Sequence, residues 1–374
     1  MKKGLLFLLS LLLFLSKSES INAQDSTCTK PLLYLGARVH KPFLIQKPGE
    51  LTDQLERSFP FNLEADISWH LRKKEIWDYC YCYPRTGFAF QYMNFGYPEV
   101  MGSAFAIIPF IEPYFRTSRK LNFSMRFGVG PTVLTKLHDE VSNPENIFFS
   151  SHLSFTSHFN FSINYRFTDK LSVRLAGNLH HISNANLAQP NLGVNLPTIN
   201  VGADYSLQKV IFENRAKDPN VVLNPRKNRV DLIAGIAFQP SSFQGEELFP
   251  VYSVITNYSR VLGRIFGVKG GLEFNSYMSM WERIRNKDMR DEASGEYIDH
   301  KRMSVTGGVE LLMGRFILSP QLGYYLYCPY DLGYKMSQRY GLSVKITDHL
   351  ITGVSVKVHR RDVDFMEFRL GVYF

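Results

Sequence analysis

The sequence predicts an all-β chain closed into a transmembrane antiparallel β-barrel, on three observations. The N-terminus reads as an export signal. Long segments alternate apolar and polar residues with period two. The chain carries 20 Tyr and 29 Phe and ends in Phe374 on an apolar face, which suits the aromatic girdles and lipid-facing strands of such barrels.

The export signal consists of basic Lys2 and Lys3, an apolar run from Leu5 to Leu15, and a small residue at the end of Ile21-Asn22-Ala23. This is the pattern of a cleaved secretory signal peptide over 1–23. The apolar run is too short to span a bilayer comfortably as a helix. Asp25-Ser26-Thr27 before Cys28 is not an apolar lipobox, so a lipoprotein anchor is not expected. Export to the bacterial outer membrane is the expected localisation.

Alternation supplies the strands. Leu171, Val173, Leu175 and Leu179 share one parity, and Ser172, Arg174, Asn178 and His180 the other. Leu350, Val354, Val356 and Val358 alternate with Ser355, Lys357 and His359, and Met366, Phe368, Leu370, Val372 and Phe374 with Glu367 and Arg369. Period two places the two parities on opposite faces of a sheet. Closing that sheet satisfies the backbone without an edge, which a bilayer demands.

Strands are expected near 32–40, 60–72, 86–95, 101–116, 120–134, 148–166, 169–183 and 196–208. A second set is expected near 229–238, 249–262, 264–279, 301–313, 315–328, 335–347, 349–360 and 364–374. The expected organisation is a first barrel region at 24–208, a linker or long turn at 209–228, and a second strand region at 229–374. The second region either completes one wide barrel or follows the first as another. Polar stretches near 41–59, 73–85, 135–147 and 282–300 read as extracellular loops. An even strand count puts both termini on the periplasmic side and the end of the seventh strand, near Ser183, at the outer face.

The remaining composition excludes more than it assigns. Cys80 and Cys82 lack a second ligand pair at zinc spacing, so they read as structural, and no metal or cofactor is implied. The formal charge is +9, without the basic-aromatic motif of a nucleic-acid binder. Arg116, Arg119 and Lys120 either attract phosphorylated lipid headgroups or form a solvated turn. His359, Lys357 and Glu367 have lumen-facing parity and form either an ionic network or a second, gating site.

The chemistry is concentrated between His180 and Asn195. His181 and Ser183 are two apart, so on a strand they share a face, with Cα atoms roughly 7 Å apart. Their parity is that of Leu175 and Leu179, the lipid-facing set. Asn195 has the parity of Pro197, Ile199 and Val201, the apolar face of the next strand. Polar residues on a lipid-facing wall are costly, least so near the interface, and a lipid substrate accounts for them. Ser supplies a nucleophile, His takes its proton and a third polar group orients the imidazole. Asn184, Asn191 or backbone N–H groups of the connecting loop are oxyanion candidates.

The stretch His181-Ile182-Ser183-Asn184, with Leu187, Pro190-Asn191 and Gly193, resembles the lipid A 3-O-deacylase family, also known as acyloxyacyl hydrolases. Asn143-Pro144-Glu145-Asn146, Ser150-Ser151 and the ending Lys357-Val358-His359 to Phe374 resemble the longer, Bacteroidetes-type members. The resemblance implies an eight-stranded first barrel that removes an ester-linked acyl chain from lipid A. It also implies His181 as base, Ser183 as nucleophile, and Asn184 and Asn191 at the oxyanion. One position departs: the family's third triad member is Glu, and here it is Asn195. Outer-membrane phospholipase A is similar at this point, with His-x-Ser-Asn and an Asn at the same offset. A phospholipase A is therefore one alternative, and a porin-like or scaffold barrel without activity is another. The expected partner is membrane lipid, lipid A or phospholipid; oligomeric state is not read from the sequence.

Overall fold

A computed structural model describes residues 30–43, 60–224, 226–241, 247–330, 333–360 and 362–374. The expected signal peptide and Cys28 lie outside the described residues. Sixteen antiparallel strands close into two separate barrels of eight. The first contains β1 (Leu32–Pro42), β2 (Phe61–His70), β3 (Tyr83–Asn94), β4 (Ser103–Phe115), β5 (Leu121–Leu134), β6 (Leu153–Arg166), β7 (Leu171–Ser183) and β8 (Val194–Ser206). The second contains β9 (Asn228–Pro240), β10 (Leu248–Val261), β11 (Phe266–Tyr277), β12 (Lys301–Met313), β13 (Phe316–Tyr327), β14 (Met336–Lys345), β15 (Leu350–His359) and β16 (Asp362–Tyr373). Among the described residues two short helices interrupt the connections, α1 (Lys74–Cys80) and α2 (Met278–Asn286).

Closure decides between one wide barrel and two. β8 returns to pair with β1, Tyr34 opposite Ser206, and β16 pairs with β9, Gly235 opposite Arg369. An eight-stranded barrel has an interior just wide enough for side chains to fill. In the first lumen Arg126 meets Glu64 at 2.7 Å and Glu112 at 2.8 Å, Arg174 meets Glu112 at 2.5 Å, and Arg38 pairs with Asp66 and Asp204. In the second, Glu273 accepts from Arg339 at 2.8 Å and from Lys357 at 2.5 Å, while Glu367 pairs with Arg339 and Arg369. Lys357 and Glu367 are thus buried in an ionic network within the lumen, and His359, also buried, lies 2.7 Å from Tyr325 Oη.

The outer surfaces are the reverse. Leu35, Phe90, Phe105, Phe127, Phe161, Leu175 and Val201 of the first barrel are exposed, as are Leu232, Phe274, Leu322 and Phe368 of the second. Apolar out and polar in is the membrane-spanning arrangement.

Strand direction sorts the connections into two ends. Among the described residues, 95–102, 135–152, 184–193, 278–300, 328–330 and 333–335 lie at one end; the tight turns 116–120, 167–170, 262–265, 314–315 and 346–349 lie at the other. Long loops mark the extracellular end of such barrels and short turns the periplasmic end. The stretch 73–85, expected as an extracellular loop, is a correction: it joins β2 to β3 and lies at the short-turn end. Its polarity has another use. It carries α1 and a Cys80–Cys82 disulfide, and it holds the linker, with Tyr81 Oη donating to Asp218 O at 2.8 Å and Tyr83 Oη to Glu213 O at 3.0 Å. Arg264, in a turn of the second barrel, donates to Asp78 O at 2.6 Å and to Asp218 O at 2.9 Å. Arg116, Arg119 and Lys120 also lie at this end.

Glu112 is fully buried and shared between Arg126 and Arg174. Glu112→Ala leaves two buried guanidinium groups short of a partner and is expected to cost about 3–5 kcal/mol of stability. The check is the urea midpoint at which the folded, fast-migrating form is lost on an unheated gel.

Candidate active site

β7 delivers His181 and Ser183 to the long-loop end, and β8 begins there with Val194 and Asn195. The register pairs His181 directly with Asn195 and with Ser157 on the other side. All three share the outward parity of Leu175, Leu179 and Ile199. Opposite residues of an antiparallel pair have Cβ atoms about 5 Å apart, so imidazole and amide meet. His181 Nδ1 lies 2.8 Å from Asn195 Oδ1. An amide oxygen only accepts, so His181 donates from Nδ1 and Nε2 is left with its lone pair.

Ser183 ends the strand beneath the loop 184–193, which keeps it buried. Its Oγ accepts from Asn191 Nδ2 at 2.9 Å and from the Ala185 N–H at 3.3 Å. Among the described residues no hydrogen bond joins it to His181; catalytic pairs often tighten only with substrate in place. Asn191 Oδ1 accepts from the Asn184 N–H at 3.3 Å. The Asn184 side chain is used otherwise, donating to Ala188 O at 2.9 Å and to Ser150 Oγ at 3.4 Å. Of the two oxyanion candidates, Asn191 therefore aims its amide at Ser183, and Asn184 contributes its backbone N–H to holding Asn191.

The loop folds back through backbone conformations that few residues adopt. Ala185 and Asn186 are left-handed, at φ 57° and 68°, and Gly193 at 64°. At Gly193 a Cβ would stand 2.8 Å from Ile182 O and 3.5 Å from both His181 Cε1 and Ser183 Cβ. The glycine thus lets the return segment lie directly against the two site residues.

Loop 135–152 supports this hairpin from behind. Leu192 N–H donates to Ile147 O at 3.2 Å and Gly193 N–H to Phe148 O at 3.3 Å. Asn146 is fully buried; it donates to Val100 O at 3.0 Å and accepts from the Phe148 and Phe149 N–H groups. Asn143 donates to Val100 O and to Leu137 O. The Asn143-Pro144-Glu145-Asn146 motif is therefore the frame of the loop that holds the site. Hydrogen bonds from Ser142 and Val141 hold the exposed Asp139 carboxyl, in the same loop, below the usual carboxylate range.

Neither Glu145 nor Asp204 is hydrogen-bonded to His181. Glu145 accepts from Tyr97 Oη at 3.4 Å. Asp204 is buried in the lumen with Arg38. His180, next in sequence, points inward and stacks on His158 with ring centroids 4.3 Å apart.

The sequence profile of the family "Lipid A 3-O-deacylase (PagL)" matches residues 58–204, the first barrel, and that of "Acyloxyacyl hydrolase, C-terminal domain" matches 228–374, the second. None of the curated proteins compared with the chain matches it. Among solved structures, the outer membrane enzyme PagL is 14% identical over 45% of this chain and 97% of its own, at a TM-score of 0.30. KdgM porin is 11% identical over 72% of this chain and 92% of its own, at 0.18. CdiB from Acinetobacter baumannii is 9% identical over 91% and 60%, also at 0.18.

Gly193→Ala puts a Cβ against Ile182 O at positive φ, which costs about 1–3 kcal/mol locally. The expected result is faster proteolytic cleavage within 184–193, while gel migration of the folded barrel stays unchanged.

Proposed function

Because the chain belongs to the lipid A 3-O-deacylase family of outer-membrane ester hydrolases, we propose that it removes an ester-linked acyl chain from lipid A by Ser-His catalysis on the lipid-facing wall of the first barrel. The observation that carries the reading is the outward His181–Asn195 pair beside an Asn191–Ser183 pair, at the extracellular end of β7.

In this reading Ser183 Oγ attacks the acyl carbonyl while His181 Nε2 takes its proton. Asn195 accepts from Nδ1–H, which fixes the tautomer that leaves Nε2 basic. The carbonyl oxygen becomes an oxyanion facing Asn191 Nδ2 and the N–H groups of the loop. Collapse expels the sugar alkoxide, which takes the proton from His181. Water, deprotonated by the same imidazole, then attacks the acyl-serine and releases the fatty acid. Ester and water are consumed, and alcohol and acid are formed. The barrel wall supplies the orientation: an acyl chain lying along Leu175 and Leu179 remains in its own solvent while its ester reaches the polar end of the strand.

A neutral Asn orients the imidazole but does not offset the imidazolium charge as a carboxylate does. Asn195 is also the feature that favours phospholipid as the second reading, since it is shared with the outer-membrane phospholipase A pattern.

The test is mass spectrometry of lipid A and phospholipids from cells that produce wild-type or Ser183→Ala protein. Loss of one hydroxyacyl chain from lipid A, only with the wild type, is expected. Lysophospholipid in its place would move the substrate to phospholipid; identical lipids in both strains, with the barrel assembled, would leave a scaffold. With purified protein, Ser183→Ala is expected to lower kcat by at least about a thousandfold. Asn191→Ala should lower it by about 10²- to 10³-fold, as removal of an oxyanion donor does.

A further inference from the structure

The described geometry joins the second barrel to Ser183. Asn186 Nδ2, in the site loop, donates to the backbone carbonyl of Asp364 on β16 at 2.9 Å. Asn186 Oδ1 accepts from Gln189 Nε2. Gln189 Oε1 accepts from the Asn191 N–H at 3.1 Å, and Asn191 Nδ2 donates to Ser183 Oγ at 2.9 Å. Four successive side-chain hydrogen bonds thus run from one barrel to the nucleophile candidate of the other.

Asp364 is suited to this by a break in the sheet. Along β15 and β16, Lys357 stands opposite Phe365 but Val358 opposite Val363, a register shift that leaves Asp364 without a ladder partner on β15. The pairing of β16 with β9 begins only at Glu367. A bulged residue leaves the ladder and re-aims its groups, so the Asp364 carbonyl is available to a neighbour. The side chain is held from within the second barrel: Tyr277 Oη donates to Asp364 Oδ2 at 2.8 Å, with His359 Nδ1 at 3.6 Å and Arg302 Nη1 at 4.0 Å. Tyr277 is fully buried and stacks edge-on against Phe365. The acceptor is therefore fixed by a packed mouth, and Asn186 meets a rigid point.

We propose that the second barrel is a positioning element for the hydrolase site, acting through Asn186 and Gln189 to hold Asn191 on Ser183. The inference rests on the catalytic reading of Ser183. It gives the second half of the chain a part in the reaction without any residue of that half touching substrate.

The test uses the full-length protein in lipid A micelles and two variants of Asn186. Asn186→Gly keeps the left-handed backbone, which glycine adopts freely, and removes the side chain. Asn186→Asp keeps the acceptor for Gln189 and loses the N–H for Asp364. Each is expected to lower kcat roughly tenfold, with KM within about twofold of wild type and unheated gel migration unchanged. If the chain acts through Asn191, Asn186→Gly combined with Asn191→Ala is no slower than Asn191→Ala alone. Wild-type kcat in both folded Asn186 variants, or losses that multiply in the double variant, would overturn the link while Ser183→Ala remains inactive. Full turnover by Ser183→Ala would instead sink the catalytic reading, and the link with it.

Discussion

At the centre of the first lumen the Arg126 guanidinium lies between Glu64 and Glu112, and Arg174 and Arg38 complete the charge balance. Burying charges is tolerable only when they are paired and hydrogen-bonded, and here the partners come from strands on different sides of the barrel. The interior is thus lined by paired charges. The candidate side chains His181 and Asn195 stand instead on the outward face of the barrel. The outer wall carries exposed apolar side chains such as Leu175 and Val201, the surface that a lipid would meet in the proposed reading. The charged lumen is therefore consistent with the proposed placement of the chemistry on the outer wall. The second barrel obeys the same constraint around Glu273, Arg339 and Lys357, and so it too presents its functional contacts at its rim and not in its core.

Parity along strands was the most legible part of the sequence because its cause is local. Successive residues must alternate sides, so Leu175, Leu179 and His181 could be placed on one face before any partner strand was known. The register that brings Asn195 opposite His181 follows from the same alternation together with the length of the 184–193 loop. Whether sixteen strands form one ring or two was not legible, since alternation reads the same in both. Only the pairing of β8 with β1 and of β16 with β9 settles it, and the sequence has no local mark for such a distant return.

Other features were hidden for different reasons. The polar stretch at 73–85 resembles an extracellular loop in composition, yet it is the clasp on the linker at the opposite end. Asn143 and Asn146 were noticed as a motif, but their work is to satisfy backbone groups of a loop that cannot be foreseen from spacing. At Asp364 the shift against Val358 is invisible in the alternation, which runs on unbroken from Met366 to Phe374. A bulge changes count on one strand relative to its neighbour, and a single strand carries no record of its neighbour.

The position of Asn195 is best understood through its surroundings. It is exposed on the outward face, where a charged side chain costs more the deeper it lies in the bilayer and least near the interface. In the proposed reaction a carboxylate there would stabilise the imidazolium, but at rest it would be a charge on an otherwise apolar face. The amide reverses the balance: the resting wall stays neutral, and the transition state loses one electrostatic partner. In the proposed reaction that loss is offset by the precision with which Asn191, held on Ser183 Oγ, would meet the oxyanion, since preorganised donors are worth more where water is excluded. On the proposed catalytic reading, a neutral third member makes the site depend more heavily on the fixity of its loop, and the anchor at Asp364 is one way to supply it.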